Sequence, residues 1–151
     1  MQTAALQVES TFLNGIRIQA AAPRLPGAPP PATIHAQTGL GELAEPNCWR
    51  ADLSIVVRPA DEKQPLPYEI EASISGIFRV VAQMEADAAR RLAYVNGMSI
   101  LYSSIRETVL LLTGRSAGGP YVLPALSFVD EYDRLAPINV AEPQAPYGEK
   151  K

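Results

Sequence analysis

An α+β domain, an antiparallel sheet covered on one face by helices, is the fold class this sequence predicts, on three observations. Apolar and polar residues alternate along 49–58 and again along 68–80, with a polar turn between the two runs. Along 98–112 the apolar spacing changes to that of a helical face. Strand-like runs come first and helical ones after, the order of a segregated architecture rather than of repeated βαβ units.

In chain order, residues 1–10 carry little pattern and read as a flexible arm. A first strand follows over 12–20, with Phe12, Ile16, Ile18 and Ala20 on one side and Leu13, Arg17 and Gln19 on the other. Residues 22–31 hold five prolines and a glycine, too many for helix or sheet, and form a stiff extended connector. A second strand over 33–43 is expected to break near Gly39 and Gly41. In the third, Trp49, Ala51, Leu53, Ile55 and Val57 share a face. Asp61 to Pro65 supplies a polar turn. The fourth strand is the cleanest period-two run: Tyr68, Ile70, Ala72, Ile74, Phe78 and Val80 oppose Glu69, Glu71, Ser73, Ser75 and Arg79.

A helical pattern over 84–94, with Ala88, Leu92 and Val95 on one side, is expected to stop at Asn96-Gly97. The longer helix then places Met98, Leu101, Tyr102, Ile105, Val109 and Leu112 on one stripe. Ile100 and Leu111 fall outside that stripe, so this helix is apolar on more than one side and needs more than one cover, a second subunit among them. Gly114 is placed to end it in a left-handed conformation, with Arg115 as a cation at the negative end of the dipole. Tyr121 to Phe128, framed by Pro120 and Pro124, reads as an extended apolar strip. Residues 129–135 allow a turn or two of helix, and a disordered tail is expected over 137–151. The domain proper is therefore 11–136.

Composition bounds the function. With 151 residues, 47% of them hydrophobic and 19% charged, the chain can build one core. A net charge of -3 gives no basic field for nucleic acid. No window approaches a membrane span, and the N-terminus lacks a secretory pattern. The single Cys48 forms no intrachain disulfide, which fits a reducing compartment. A cytoplasmic location is expected.

Catalytic chemistry finds little support. His35 is the only histidine and, beside the proline connector, reads as a surface or packing residue. Cys48 has no partner and reads as a buried spectator. No metal-ligand spacing occurs, and no cofactor is expected. The glycines of 114–119 lack the lysine of a phosphate loop and follow a helix where that motif follows a strand. Arg106 and Glu107 are ordinary mid-helix charges, and Glu69 with Glu71 a solvated carboxylate pair. The surplus is apolar: Trp49, Tyr121, Leu123, Leu126 and Phe128 exceed what four strands and two helices comfortably hide.

The order of elements and the words within them resemble the SecB family of export chaperones, over roughly residues 12–135. Ser75-Gly76-Ile77-Phe78 is similar to the Gly-Ile-Phe closing that family's fourth strand. Leu101-Tyr102 and Ile105-Arg106-Glu107, within 96–107, resemble the start of its long helix. Thr113-Gly114-Arg115 falls at its helix end, and Leu123-Pro124 with Leu126 and Phe128 resembles its Leu-Pro strip.

The resemblance implies a four-stranded antiparallel sheet, one long helix and a homotetramer built as a dimer of dimers. It implies a non-enzymatic, ATP-independent holdase for unfolded polypeptides, with no nucleic acid and no membrane insertion. Its client groove would draw on Ile34, Leu40, Leu43, Trp49, Tyr121, Leu123, Leu126 and Phe128. Ile70, Ala72 and Ile74, with Leu101, Ile105 and Leu112, would support the oligomer interface, while Glu69 and Glu71 would be the candidate docking site for the motor SecA. The short C-terminal helix and proline-rich tail depart from the SecB of secretion. They fit the SecB-like proteins that accompany toxin-antitoxin pairs, so the client is an unfolded preprotein or an antitoxin. A small-ligand domain and a purely structural oligomer stay open beside the holdase.

Overall fold

A computed structural model describes residues 3–23 and 26–135. The elements are β1 (Leu6–Ala20), β2 (Ala32–Glu42), β3 (Cys48–Pro59), β4 (Tyr68–Val80), α1 (Ala86–Thr113) and α2 (Phe128–Leu135). The strands make one antiparallel sheet in the order β1-β4-β3-β2. The β2, β3 and β4 strands are joined by short turns. β1 and β2 lie on opposite edges, so the connector after Ala20 must cross from one edge to the other.

β1 is longer than the alternation alone suggests. Leu6 to Ser10, expected in a loose arm, pair with the end of β4 from Leu6 opposite Val80 onward. Leu6 is buried, and Arg79 bonds Glu9 across the ladder at 2.5 Å. A register shift between Leu13 and Gly15 then inverts the pleat. Leu13 therefore lies opposite Ile74 on the face of Ile16 and Ile18, while Phe12 lies opposite Ser75 on the other face, the reverse of the simple alternation. β2 runs unbroken through Gly39 and Gly41, paired with Asp52 and Arg50 of β3. Its continuity is imposed by that ladder rather than by local propensity.

The inner face of the sheet carries Leu53, Ile55 and Val57 of β3 and Ile70, Ala72, Ile74, Phe78 and Val80 of β4, all buried. α1 packs on this face as one uninterrupted helix. The break expected at Asn96-Gly97 is absent because Gly97 is a contact residue, buried against Phe78. The helix buries Ala89, Ala93 and Tyr94 in its first half, rather than the stripe of Ala88, Leu92 and Val95. In its second half it buries Met98, Leu101, Tyr102, Ile105 and Val109 as expected, but then Thr113 in place of Leu112. A step of four from Val109 keeps the stripe on the sheet, and Leu112 falls to the side, 49% exposed. Gly114 stays right-handed (φ -58°), its N–H still bonding the carbonyl of Leu110 at 2.9 Å. The positive φ falls instead on Gly119 (φ 74°), where the chain turns into the strip. The tail expected over 137–151 lies outside the described residues.

Candidate functional site, a groove beside the edge strand

Residues 34–38 of β2 face Leu126, Phe128, Glu131 and Arg134 across a groove of ≈ 460 Å³. Three of the groove residues expected from sequence, Ile34, Leu126 and Phe128, meet there. The walls are fixed by polar contacts between elements. The hydroxyls of Thr38 and Tyr94 lie 2.9 Å apart and tie β2 to α1. Tyr94 packs on Tyr132 at 5.3 Å between ring centroids, and Arg91 sits over the Tyr132 ring while pairing with Asp133. These contacts clamp α2 to α1. Burial raises the Tyr94 pKa above the ordinary tyrosine value, against the opposing bond to Thr38. At the rim, Arg134 donates to the Glu131 carboxylate, so the groove carries a paired charge rather than a field of one sign.

The strip that forms the far wall is held by its own main chain. Thr113 accepts the N–H of Tyr121 at 2.9 Å, Arg106 donates to the carbonyl of Leu123 at 3.0 Å, and Tyr102 donates to the carbonyl of Pro124 at 2.5 Å. This anchoring turns Tyr121 and Leu123 inward, into the core, and Val122 outward to solvent. Tyr121 and Leu123, expected on the groove surface, are therefore part of the chain's own core, with Leu123 wholly enclosed; Trp49 on β3 is buried there too, and so is Phe128, although it borders the groove. Alternation along an extended strip decides this: only every second residue can face outward. Leu40 is half-buried further along β2, and Leu43 is exposed just past its end. The connector lines a separate hollow of ≈ 180 Å³, with Pro23, Pro29 and Pro30 facing Pro65, Pro67 and Tyr121.

The residues expected at an oligomer interface divide the same way. Ile70, Ala72, Ile74, Leu101 and Ile105 are all buried within one chain, used up in holding α1 to the sheet, and only Leu112 looks outward. It is joined by Leu110 and by Leu111, 66% exposed, and on β1 by Val8, Phe12 and Leu13. Glu69 and Glu71 are exposed on the outer face, as the alternation requires. They are not an isolated acidic pair: Arg17 lies 3.9 Å from Glu69 and directly opposite Glu71 in the ladder. Further along that face Arg50 bonds Asp52, which also accepts from Ser75 at 2.5 Å, and Asn14 in turn donates to Ser75. Partial burial pushes the Asp52 carboxyl up, but the bonds from Arg50 and Ser75 outweigh it and hold its pKa below the usual value.

Sequence reasoning passed over Thr38, Arg91, Tyr94 and Tyr132, which set the groove's width. The only signal available was two tyrosines, a threonine and an arginine with no evident apolar stripe to join. His35 lines the groove through its position on β2. Among the described residues no three of His, Cys, Asp and Glu gather as metal ligands do, and no helix is long and apolar enough to cross a membrane.

Neither a family model nor a curated protein matches the chain by sequence. Its architecture is nonetheless that of a known class: the fold is SecB-like, a four-stranded antiparallel sheet with a long helix laid on it. The SecB-like chaperone Rv1957 of Mycobacterium tuberculosis, solved in complex with a ChAD peptide from the Rv1956 HigA1 antitoxin, matches with a TM-score of 0.56 at 20% identity. That match covers 82% of this chain and 91% of the other. A protein of unknown function from Streptococcus agalactiae is similar at a TM-score of 0.44 and 15% identity, over 80% of this chain and 97% of that one.

Proposed function

We propose that this protein is an ATP-independent holdase that binds non-native polypeptide segments and keeps them from aggregating, with no catalytic step of its own. One observation carries the reading: the groove beside β2 is open, walled partly by apolar side chains, and its walls are tied to α1 by the Thr38–Tyr94 and Tyr94–Tyr132 contacts. Apolar burial is non-directional, at about 25 cal/mol per Å², so such a groove accepts many sequences. The shared fold with a chaperone bound to an antitoxin peptide supports a polypeptide as the ligand.

Within that reading the dedicated form, an antitoxin-like client, is favoured over delivery of preproteins to SecA. The reason is the charge around Glu69 and Glu71, which Arg17 offsets. Subunit contacts of the expected dimer of dimers belong on the unpartnered apolar side chains, Phe12 and Leu13 on β1 and Leu110 to Leu112 on α1. The test is light scattering of a chemically unfolded client panel diluted with and without stoichiometric protein and without nucleotide. Suppressed aggregation is expected, and its absence across the panel rejects the holdase. A bound client should raise the particle mass, which separates a holdase from a purely structural oligomer.

A further inference from the structure

We infer that Asn14 is a self-modifying site, an asparagine that converts slowly to aspartate and isoaspartate through attack by the backbone nitrogen of Gly15, and that the conversion loosens β1. The inference goes beyond the holdase reading and does not depend on it. The sequence holds two Asn-Gly pairs, Asn14-Gly15 and Asn96-Gly97. A glycine after asparagine leaves the attacking nitrogen unshielded, since no side chain stands beside it. The fold treats the two pairs oppositely. Asn96-Gly97 lies within α1, where the helical ladder engages the Gly97 N–H, and Gly97 is buried against Phe78. Asn14 is the extra residue of the bulge: the register passes from Leu13 opposite Ile74 to Gly15 opposite Ser73 and leaves Asn14 without a ladder partner. Both Asn14 and Gly15 are exposed, and beyond the chain neighbours no atom lies within 4 Å of where a methyl group on Gly15 would stand. Asn14 borders one hollow, with Phe12, Arg50 and Ile77, and Gly15 borders the next, with Arg17, Ser54 and Glu71, so water reaches their peptide bond from two sides.

The chemistry needs only the chain and water. The Gly15 nitrogen gives its proton to hydroxide and bonds to Cγ of Asn14. The Cγ–Nδ2 bond breaks, and Nδ2 leaves as ammonia with a proton taken from water. The succinimide ring so formed takes up one water and opens at either carbonyl. Opening at Cγ gives aspartate, and opening at the main-chain carbonyl gives isoaspartate, so that in sum an amide and a water become a carboxylic acid and ammonia. In the parent, Nδ2 of Asn14 donates to Oγ of Ser75 at 2.8 Å, and Ser75 donates its single hydrogen to Asp52 at 2.5 Å. Conversion puts a carboxylate where that donor stood. The Ser75 hydrogen is already committed and Asp52 shares the same hydroxyl, so the new charge meets an acceptor and a like charge. The isoaspartate form also adds a backbone atom where the register is set. Either product weakens the bulge that carries Phe12 and Leu13, the exposed apolar residues just before it.

The experiment incubates the full-length protein in mildly alkaline buffer, samples it over time, and reads tryptic peptides by mass spectrometry, with isoaspartate detected by enzymatic methylation. Asn14 should convert roughly tenfold faster than Asn96 or more, because ring closure at Asn96 must also break a helical hydrogen bond and push back the Phe78 ring. Isoaspartate should accompany aspartate. Gly15→Ala, whose methyl meets open space, should fold normally and slow the conversion of Asn14 severalfold. Equal rates at the two asparagines, aspartate without isoaspartate, or an unslowed Gly15→Ala variant would each overturn the site. The consequence is read on Asn14→Asp by NMR hydrogen exchange. Amides of Leu6 to Leu13 should exchange roughly tenfold faster than in the parent, while those of β3 keep their rates. Parent-like exchange in that stretch, or a uniform rise across the sheet, would overturn the link to β1. No client enters these measurements, so the holdase reading stands or falls separately.

Discussion

Gly97 of α1 lies against the ring of Phe78 in β4 so closely that a methyl group on it would sit 3.3 Å from two ring carbons. Phe78 is wholly buried and also covers Gly76 of its own strand, where a methyl would come within 2.7 Å of the ring and 3.0 Å of Leu101. Two glycines thus make the seat in which one aromatic ring joins helix to sheet. Gly97→Val and Gly76→Ala should each destabilise the fold by about 2 kcal/mol through overpacking. Urea unfolding monitored by circular dichroism gives the answer; midpoints equal to the parent's would mean that α1 can lift off the sheet freely.

The three main-chain anchors of the strip make a second prediction. Tyr102→Phe removes the bond to Pro124, and Arg106→Met removes the one to Leu123. Each should cost about 1 kcal/mol, and the double variant should cost more, with faster proteolysis between Gly119 and Phe128. A strip that keeps its protease resistance in the double variant is held by apolar contacts alone.

Alkaline pH probes the same region. Burial raises the Tyr102 pKa to about 12, with Arg106 opposing the rise, and burial also raises Tyr94 and Tyr121. Between the ordinary value near 10 and about 12, the unfolded chain releases a proton that the folded chain retains. Stability conferred by the neutral phenol is full below pH ~10 and declines as pH rises through that window. Tyr102→Phe should flatten the decline. An unchanged slope of stability against pH in this variant would contradict the assignment.

Ile105 and Leu111 sit on different faces of α1, one enclosed by the core and one 66% exposed. Ile105→Asp should prevent folding, since an unpaired buried charge costs several kcal/mol. Leu111→Asp should leave stability within about 0.5 kcal/mol yet shift the assembly to smaller species by analytical ultracentrifugation. Should Leu111→Asp leave the sedimentation unchanged, α1 contributes no subunit contact at that point.

Glu71→Lys tests the outer face. It places a lysine opposite Arg17 in the ladder, an exposed like-charge pair expected to cost no more than about 1 kcal/mol. Client capture should be unaffected, because the groove opens on the far side of β3 from β4. If SecA docks on this face, pull-down of SecA should fall sharply with the reversal; equal recovery with parent and variant would place any docking elsewhere.

The sequence carried the architecture because its strongest signals are periodic. The alternation of β4 and the spacing of Met98, Leu101, Tyr102, Ile105 and Val109 each state which face is buried, and the structure buries those faces. What covers a face is a different question. Tyr121, Leu123 and Trp49 are apolar whether a client or the chain's own helix lies on them, so composition could not separate groove from core. Gly97 looked like a helix breaker because local propensity cannot register a ring from β4, residue 78, arriving on the other side. The pleat inversion at Asn14 was hidden for a related reason: a bulge is set by the partner strand's register. The groove's width depends on hydroxyl and ring contacts spanning 38 to 132, and no short window contains them.

The placement of β1 and β2 on opposite edges has a bearing on how the protein is made. During synthesis β1 emerges before its only partner, β4, so Leu6–Ala20 wait unpaired until residues 68–80 have left the ribosome. Through that interval the nascent chain shows bare strand and loose apolar side chains. Each copy therefore passes through the condition that the finished protein is proposed to relieve in others.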